Sequence, residues 1–201
     1  MKKLFVLLTA ALTVLTVSCK KDQHNTDETT ADTTIKVPVP EAVDLGLSVL
    51  WADRNLGAEK ETDLGFCFAW GETKPRPYET YARPYIFDAT DAPEKLSTIY
   101  DAAKVLLGNG WRMPTKQECL DLDQLEKALV TKEGSTVVGL KLSGNGNSIS
   151  IPFPKPGENQ NFDLWTSERS EPEWAYICYT CSNVGPARRE YANPIRPVKD
   201  K

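Results

Sequence analysis

The chain turns a corner at the stretch Gly110-Trp111-Arg112-Met113-Pro114-Thr115. Residues 101–107 upstream read as a short helix, and the small residues at 108–110 tolerate the left-handed conformation that closes a helix. Downstream, Thr115 and Glu118 form the pattern of a capping box, in which each side chain satisfies a backbone N–H group at a helix start. Pro114 keeps the two helices apart, and Trp111 supplies an apolar anchor. The stretch therefore predicts a fixed corner in a folded domain.

Apolar residues recur every three or four positions after the corner, which predicts an amphipathic helix with one face inward. They are Cys119, Leu122, Leu125 and Leu129. A β-hairpin is predicted over residues 136–151, with its turn at 143–147 and period-two alternation in its second strand. Other strands are predicted within 41–52, 65–70, 162–167, 174–181 and 195–198. Two helices thus stand among five to seven strands, which predicts an α+β fold with a largely antiparallel sheet.

The chain begins with two lysines, an apolar run from Leu4 to Val17 and then Ser18-Cys19, the parts of a bacterial export signal. The apolar run is too short to cross a bilayer as a mature helix. Residues 15–19 resemble a lipobox, although Thr16 stands where leucine is more usual. We therefore predict a signal peptide over 1–18 and acylation of Cys19, which would attach the chain to outer-membrane lipid. The alternative is a secreted protein whose cysteine is unmodified.

A polar segment follows and predicts a flexible tether over 19–40, ahead of a single domain over 41–201. His24, the chain's only histidine, lies in this tether, which excludes a histidine metal site or a Ser-His-Asp arrangement in the domain. Without the two lysines of the leader, 22 basic side chains face 28 acidic ones, a formal charge of −6. A mildly acidic surface without a basic cluster argues against nucleic-acid binding.

Seven separated motifs occur in an order that is typical of one family. They are Val43-Asp44-Leu45-Gly46-Leu47-Ser48 with Trp51-Ala52, Asn55-Leu56-Gly57-Ala58, Phe68-Ala69-Trp70-Gly71-Glu72, Asp101-Ala102-Ala103, the corner at 110–115, Trp165-Thr166-Ser167 and Arg196-Pro197-Val198. Together they resemble the Fibrobacter succinogenes major paralogous domain, which is common in lipoproteins of Bacteroidota. The resemblance extends from about Ala42 to Val198.

The resemblance implies a C-type lectin-like fold, in which two helices flank a small, mainly antiparallel sheet and the N- and C-terminal strands, near Leu47 and Ile195, are adjacent. It implies no fixed catalytic role. The calcium-binding pair of sugar-recognising C-type lectins is missing, since Glu171-Pro172-Glu173 echoes only the first half of it. We therefore expect no metal and no cofactor.

Four cysteines lie in the predicted domain, and four allow three disulfide pairings. They are Cys67, Cys119, Cys178 and Cys181. Export favours a disulfide, whereas simple buried thiols are the alternative. The Cys178–Cys181 spacing is that of a redox or zinc half-site, but residues three apart on a strand point to opposite faces. Formylglycine-generating enzymes, which resemble this fold, bind copper through a cysteine pair, and no pair is obviously positioned for that here.

Several residues are predicted to be structural. Tryptophans 51, 70, 111 and 165 are expected in the core, and Arg112 and Arg196, embedded in apolar sequence, each need a carboxylate partner. We predict that Arg112 reaches Glu118 or Glu72, with an anion site at Arg112 as the functional alternative. The predicted structural set is Trp51, Trp70, Glu72, Trp111, Arg112, Pro114, Thr115, Glu118, Trp165 and Arg196.

Ligand-binding residues are predicted in the loop region that carries binding in lectin-like folds. Trp174, flanked by carboxylates, has the aromatic and polar character of a sugar-binding surface. The predicted ligand-binding residues are Asn159, Asn161, Glu168, Arg169 and Trp174.

The function predicted from these features is that of a non-enzymatic, lipid-anchored binding module of the cell envelope, periplasmic or surface-exposed, with a glycan, peptide or protein as ligand. The alternative is a structural or adhesive subunit that acts by assembly, and an oxidase-like enzyme is the third option. A concave aromatic patch favours ligand binding, whereas an exposed strand edge favours assembly.

Overall fold

A computed structural model describes residues 36–82, 84–88, 91–132, 136–158 and 160–201 of the chain. The predicted signal peptide at 1–18, Cys19 and most of the predicted tether at 19–40 lie outside these residues. The described part belongs to one unit, Lys36–Lys201.

The described residues form twelve strands and two α-helices. The strands are β1 (Ala42–Val43), β2 (Val49–Ala52), β3 (Cys67–Phe68), β4 (Trp111–Arg112), β5 (Glu126–Lys132), β6 (Thr136–Gly144), β7 (Asn147–Pro152), β8 (Leu164–Glu171), β9 (Trp174–Thr180), β10 (Asn183–Arg188), β11 (Asn193–Pro194) and β12 (Val198–Asp200). The helices are α1 (Ala102–Leu107) and α2 (Lys116–Asp121). Two 3₁₀ turns cover Thr98–Tyr100 and Leu122–Gln124.

The strands pair in four antiparallel sheets, with the orders β1-β2-β12-β4, β10-β9-β8, β11-β3 and β5-β6-β7. In the first sheet, Val198 of β12 lies opposite Trp51 on one side and Arg112 on the other. The predicted neighbourhood of the first and last strands is therefore present, and the corner strand β4 joins the same sheet.

The predicted α+β, C-type lectin-like fold is wrong. The structure is mostly β, in four small antiparallel sheets, and does not have two helices flanking one sheet. The two α-helices described have six residues each, under two turns, so neither can cover the face of a sheet. Strands that were expected in one sheet instead divide among four groups of two to four strands. Some pair as hairpins, and others, such as β2 with β12, come from distant parts of the chain.

The helix predicted to run through Leu129 is the clearest single error. Helix α2 ends at Asp121, and β5 begins at Glu126 after the 3₁₀ turn. Leu129 lies opposite Leu140 on β6 and is 53 % exposed. β5 pairs along its length with β6, the next strand of the chain, and this cross-strand pairing outweighs the helical spacing of the leucines.

The corner itself is confirmed. Thr115 Oγ1 accepts a hydrogen bond from the Glu118 N–H at 3.2 Å, and Glu118 Oε2 accepts one from the Thr115 N–H at 2.8 Å. Asp101 caps α1 by accepting from the Lys104 N–H at 3.0 Å, and its two oxygens also accept from the Met113 N–H. The carboxylate of Asp101 therefore joins the start of α1 to the middle of the corner.

Arg112 has the carboxylate partner that the sequence predicts. Its Nη2 atom lies 2.7 Å from Glu118 Oε1 and 2.7 Å from Asp200 Oδ1. Burial alone would raise the pKa of Glu118, but the hydrogen bonds from Arg112 and Thr115 lower it below its ordinary value. Glu72, the other predicted partner, pairs instead with Arg76 at 2.6 Å.

The expectation of a carboxylate beside Arg196 is wrong. This side chain is fully buried, and it donates to Asn55 Oδ1 at 2.8 Å, the Ala52 carbonyl at 3.1 Å and the Ser150 carbonyl at 2.7 Å. Burial lowers its pKa to about 9. Neutral oxygen atoms on three parts of the chain thus take the place of the expected ion pair.

Two buried clusters form the core, and the four predicted core tryptophans are divided between them. Trp51 belongs to the first cluster, whereas Trp70, Trp111 and Trp165 belong to the second. The Trp70 indole N–H donates to the Thr166 carbonyl, and the Trp165 indole N–H donates to the Phe68 carbonyl, both at 2.8 Å. These reciprocal bonds join the β3 region to β8. Pro114 joins the corner to the same strand, since its carbonyl accepts from the Ser167 N–H at 2.7 Å.

Candidate functional site

The predicted ligand-binding residues do not form one cluster. Asn159 lies outside the described residues. Asn161 precedes β8 and is close to the end of β9, because the Phe162 N–H donates to the Tyr179 carbonyl. Trp174 begins β9 at its other end, opposite Glu171. A seven-residue strand spans roughly 20 Å, so Asn161 and Trp174 cannot contact one small ligand.

The other members of that predicted set have structural contacts. Glu168 Oε2 accepts from the Lys116 N–H at 2.6 Å, at the start of α2. The backbone N–H of Arg169 donates to the Glu94 carbonyl at 2.8 Å. The Trp174 ring has the guanidinium of Arg188 5.3 Å from its centroid. These contacts hold β8 and β9 to their neighbours.

A concave aromatic site lies elsewhere, on the opposite face of β9 and β10. It is a cleft of about 450 Å³, within the range of roughly 300–1,000 Å³ that is typical of small-molecule sites. Its lining, which we call the tyrosine cleft, consists of Tyr78, Glu79, Tyr81, Asp163, Ile177, Tyr179, Ala187, Tyr191 and Asn193.

Backbone pairing between two loops builds one wall of the tyrosine cleft. Tyr81 and Tyr191 form an isolated antiparallel bridge, and the N–H groups of Glu79 and Ala82 donate to the carbonyls of Ala192 and Glu190. The rings of Tyr81 and Tyr191 are tilted by 40° to each other with their centroids 4.3 Å apart, and their hydroxyls are hydrogen-bonded to each other. The Tyr81 side chain remains 44 % exposed, so this aromatic pair faces solvent at the rim.

The floor of the cleft comes from the sheet below. Ile177 and Ala187 lie on neighbouring strands β9 and β10 with their side chains on the cleft side. Tyr179, two residues after Ile177 and hence on the same face of β9, donates from its hydroxyl to the Pro186 carbonyl at 2.8 Å. The floor is therefore apolar and fixed by strand pairing.

Two carboxylates supply the polar groups of the cleft. The Tyr78 hydroxyl donates to Asp163 Oδ2 at 2.7 Å, and Glu79 pairs with Lys155 at 2.6 Å. Burial raises the pKa of Asp163 and the Glu79 charge raises it further, while the bond from Tyr78 acts in the opposite direction. Burial and the bond to Asp163 raise the pKa of Tyr78. The carboxylates can accept hydrogen bonds from a ligand that carries hydroxyl groups, and the phenol hydroxyl can donate to it or accept from it.

Both carboxylate residues have a left-handed backbone, with φ of 56° at Glu79 and 50° at Asp163. Non-glycine residues rarely adopt this conformation, and where they do so they often belong to functional sites. The surrounding structure therefore imposes this conformation on both acids at the cleft.

Sequence reasoning missed this site. None of the residues that line the cleft belongs to the predicted ligand-binding set. The signal that could have pointed to the cleft is the local run Tyr78-Glu79-Thr80-Tyr81, in which two tyrosines flank two polar residues. Its partner Tyr191 is 110 residues away, and no local pattern connects the two.

The cysteines of the described part are all free and buried. Cys178 and Cys181 were expected on opposite faces of a strand, but β9 ends at Thr180, and both lie in the same core cluster as Cys119. Burial raises the pKa of Cys67 and Cys181 to about 12. No group of three histidine, cysteine or acidic side chains suited to a metal ion occurs among residues 36–201 that the structure describes.

No helical segment among the described residues has the length and apolar character needed to cross a bilayer. Comparison with protein-family models, with curated proteins and with solved structures finds no match to the chain.

Proposed function

We propose that this chain is a non-enzymatic, lipid-anchored module of the cell envelope that binds a glycan in the tyrosine cleft. The observation that carries the proposal is the cleft itself, a concave site with four tyrosine rings and two carboxylates. Sugar rings have apolar C–H faces that pack on aromatic rings and hydroxyl edges that hydrogen-bond to carboxylates and phenols.

The arrangement of the cleft matches these two needs. The Tyr81–Tyr191 pair offers aromatic surface at the rim, where an extended chain of sugar units can pass. Asp163 and Glu79 lie below it as acceptors, and the hydroxyl of Tyr78 completes the polar set. We expect the glycan to be neutral, because the two carboxylates of the cleft would repel a strongly acidic one.

The envelope location is proposed on the sequence alone. The leader at 1–18 and Cys19 have the pattern of a lipoprotein, and the motif order resembles that of the Fibrobacter succinogenes major paralogous domain, which is common in such lipoproteins. Metabolic labelling with a fatty-acid analogue tests it. Label should be incorporated into the wild-type chain and be lost from Cys19→Ala, and label in both would rule out Cys19 as the attachment site.

Binding is tested with a glycan array followed by calorimetric titration of the glycans retained. Tyr81→Ala and Tyr191→Ala should each weaken binding by about tenfold or more, because aromatic anchors dominate such sites. Tyr176→Ala is the matched control, since Tyr176 lies on the other face of β9 with Lys116 4.0 Å from its ring centroid. No glycan retained, or equal weakening by all three variants, would contradict a glycan site in the cleft.

Strand β5 supports a second candidate function, assembly of copies into a structural or adhesive layer. It is the edge strand of its sheet, and all but one of its seven residues are exposed. Its sequence is self-complementary: in antiparallel pairing about Leu129, Glu126 of each copy faces Lys132 of the other. The edge is thus suited to pairing with a second copy.

Sedimentation of variants in which the charges of Glu126 and Lys132 are changed tests this assembly. Glu126→Lys should favour the monomer, because it places two lysines opposite each other at both ends of the interface. The double variant Glu126→Lys with Lys132→Glu should restore association. A wild-type chain that stays monomeric at high concentration would remove the assembly function and leave glycan binding as the single proposal.

A further inference from the structure

Arg189 is a buried arginine for which the described residues provide almost no partner. It follows β10 and is only 2 % exposed. Its backbone is fixed on both sides, because its N–H donates to the Glu173 carbonyl at 3.3 Å and its carbonyl accepts from the Trp70 N–H at 2.9 Å. The side chain is therefore held inside the domain by the chain on either side of it.

The guanidinium of Arg189 has two nitrogen atoms, Nε and Nη1, without a hydrogen-bond partner among the described residues. Its Nη2 atom makes one long contact, 3.4 Å to the Asp88 carbonyl. Arg196, which is equally buried, has Nε, Nη1 and Nη2 all bonded to oxygen. The same domain thus satisfies one buried guanidinium and leaves another unsatisfied.

An unsatisfied buried guanidinium is costly, since it has lost its water without gaining an acceptor. Burial lowers the pKa of Arg189, in keeping with this cost. The Tyr85 ring, with its centroid 5.4 Å from the guanidinium carbon, provides a cation–π contact that offsets only part of it. The missing component is an oxygen acceptor, preferably a negative one.

The side chain borders a cavity of about 200 Å³, which has room for a small anion. Three acidic residues line this cavity together with Arg188 and Arg189. The carboxylates of Glu173 and Glu190 are closest to Arg188, at 3.9 Å and 3.5 Å, and Asp88 contacts the Arg189 guanidinium only through its backbone carbonyl. Arg169 places a second positive charge near Arg189. The described acids therefore act on Arg189 through their charge at a distance, but none of them supplies a hydrogen-bond acceptor to its Nε or Nη1 atom.

We propose that Arg189 binds a monoanionic carboxylate ligand in this cavity, at a site separate from the tyrosine cleft. Glu173 and Glu190 at the rim disfavour a dianion, and the rings of Tyr85 and Phe87 give an apolar wall for the body of a carboxylic acid. Because Nε and Nη1 are closed to solvent, ligand entry involves movement of the side chains that line the cavity.

The test is thermal unfolding of the purified full-length chain in sodium acetate and in sodium chloride of the same ionic strength. Acetate at roughly 100 mM should raise the wild-type Tm by about 3 °C over chloride, through binding to the folded state. Arg189→Met should abolish this difference. In chloride the same variant should melt at the wild-type temperature or above it, because it removes an uncompensated buried charge.

Two further arginines serve as controls. Arg54→Met, at an arginine paired with Asp53, should keep the acetate response, and Arg196→Met should lower the Tm because its bonded carbonyls lose their donor. Three outcomes would overturn the proposal: no acetate response in the wild type, a fall in Tm for Arg189→Met like that of Arg196→Met, or an equal response to inorganic phosphate. None of these depends on whether the tyrosine cleft binds glycans.

Discussion

Replacement of Asp101 by alanine should destabilise the domain more than replacement of any single exposed acid by alanine. Asp101 is 3 % exposed, and its carboxylate accepts from the Lys104 N–H at 3.0 Å and from the Met113 N–H at 3.0 and 3.1 Å. The loss of a helix N-cap costs about 1 kcal/mol. A buried N–H left without an acceptor, here that of Met113, costs about 1–3 kcal/mol more.

The expected loss is therefore about 2–4 kcal/mol, or a fall in Tm of roughly 4–16 °C for a domain of this size. Urea unfolding followed by circular dichroism measures it. Asp101→Asn should lose about half as much, since one amide oxygen still accepts. Asp123→Ala is the control, because Asp123 is an exposed acid in a surface pair with Lys127 and should change the free energy of unfolding by under about 0.5 kcal/mol. A loss below about 1 kcal/mol for Asp101→Ala would refute the role assigned to this carboxylate at the corner.

Three other predictions concern pH, thiol chemistry and backbone conformation. The folded-state pKa of Glu118 lies below its ordinary value of 4.5, so its contribution to the stability of the fold is present above pH 4.5 and is lost as the pH falls. Glu118→Gln should therefore flatten the acid side of the stability–pH curve, and an unchanged slope would contradict this. The four buried thiols should react with a thiol reagent at pH 8 only after unfolding, and fast labelling of the native chain would contradict their burial. Gly65→Ala should cost more stability than Gly146→Ala, because both have positive φ but only at Gly65 would a Cβ lie 2.6 Å from the Leu56 carbonyl oxygen; equal losses would contradict the steric argument.

Features determined by neighbouring residues could be predicted from the sequence. The capping box of Thr115 and Glu118 and the caps of α1 use contacts within a few positions. The β6–β7 hairpin was predicted for the same reason, since Asn145 and Gly146 adopt the positive φ values that its turn requires. The pairing of β2 with β12 is non-local, and it was expected only through the family resemblance.

Features that depend on pairing with another strand could not be predicted from the pattern of a single segment. Leucines at helical spacing also fit a strand when a second strand is available, and β6 is that partner for β5. Strand β10, which contains Gly185 and Pro186, has no clear strand pattern and exists through its pairing with β9. The division into four sheets follows from many such pairings, so the α+β expectation failed even though many of the individual strands were anticipated.

The candidate site shows the same limit. The local sequence around a tyrosine in an irregular segment is the same whether the side chain packs in a core or lines a cleft. Tyr81 became part of a surface site only because the bridge to Tyr191 holds the two rings side by side. The predicted Asn161 and Trp174 were chosen from the loop positions of a fold that the chain does not have, and they lie at opposite ends of β9.

A domain of four small sheets needs ties between them, because two or three strands alone bury too little to be stable. Arg196 is one such tie, since it bonds the carbonyls of Ala52 on β2 and Ser150 on β7. The reciprocal indole bonds of Trp70 and Trp165 are another, between the β3 region and β8. Sheet β10-β9-β8 provides the floor of the tyrosine cleft, and the β3 region leads into the loop that forms its wall. The two indole bonds therefore hold the loop that forms the wall of the cleft in place against the sheet that forms its floor. The geometry of the cleft depends in this way on core tryptophans that no ligand would touch.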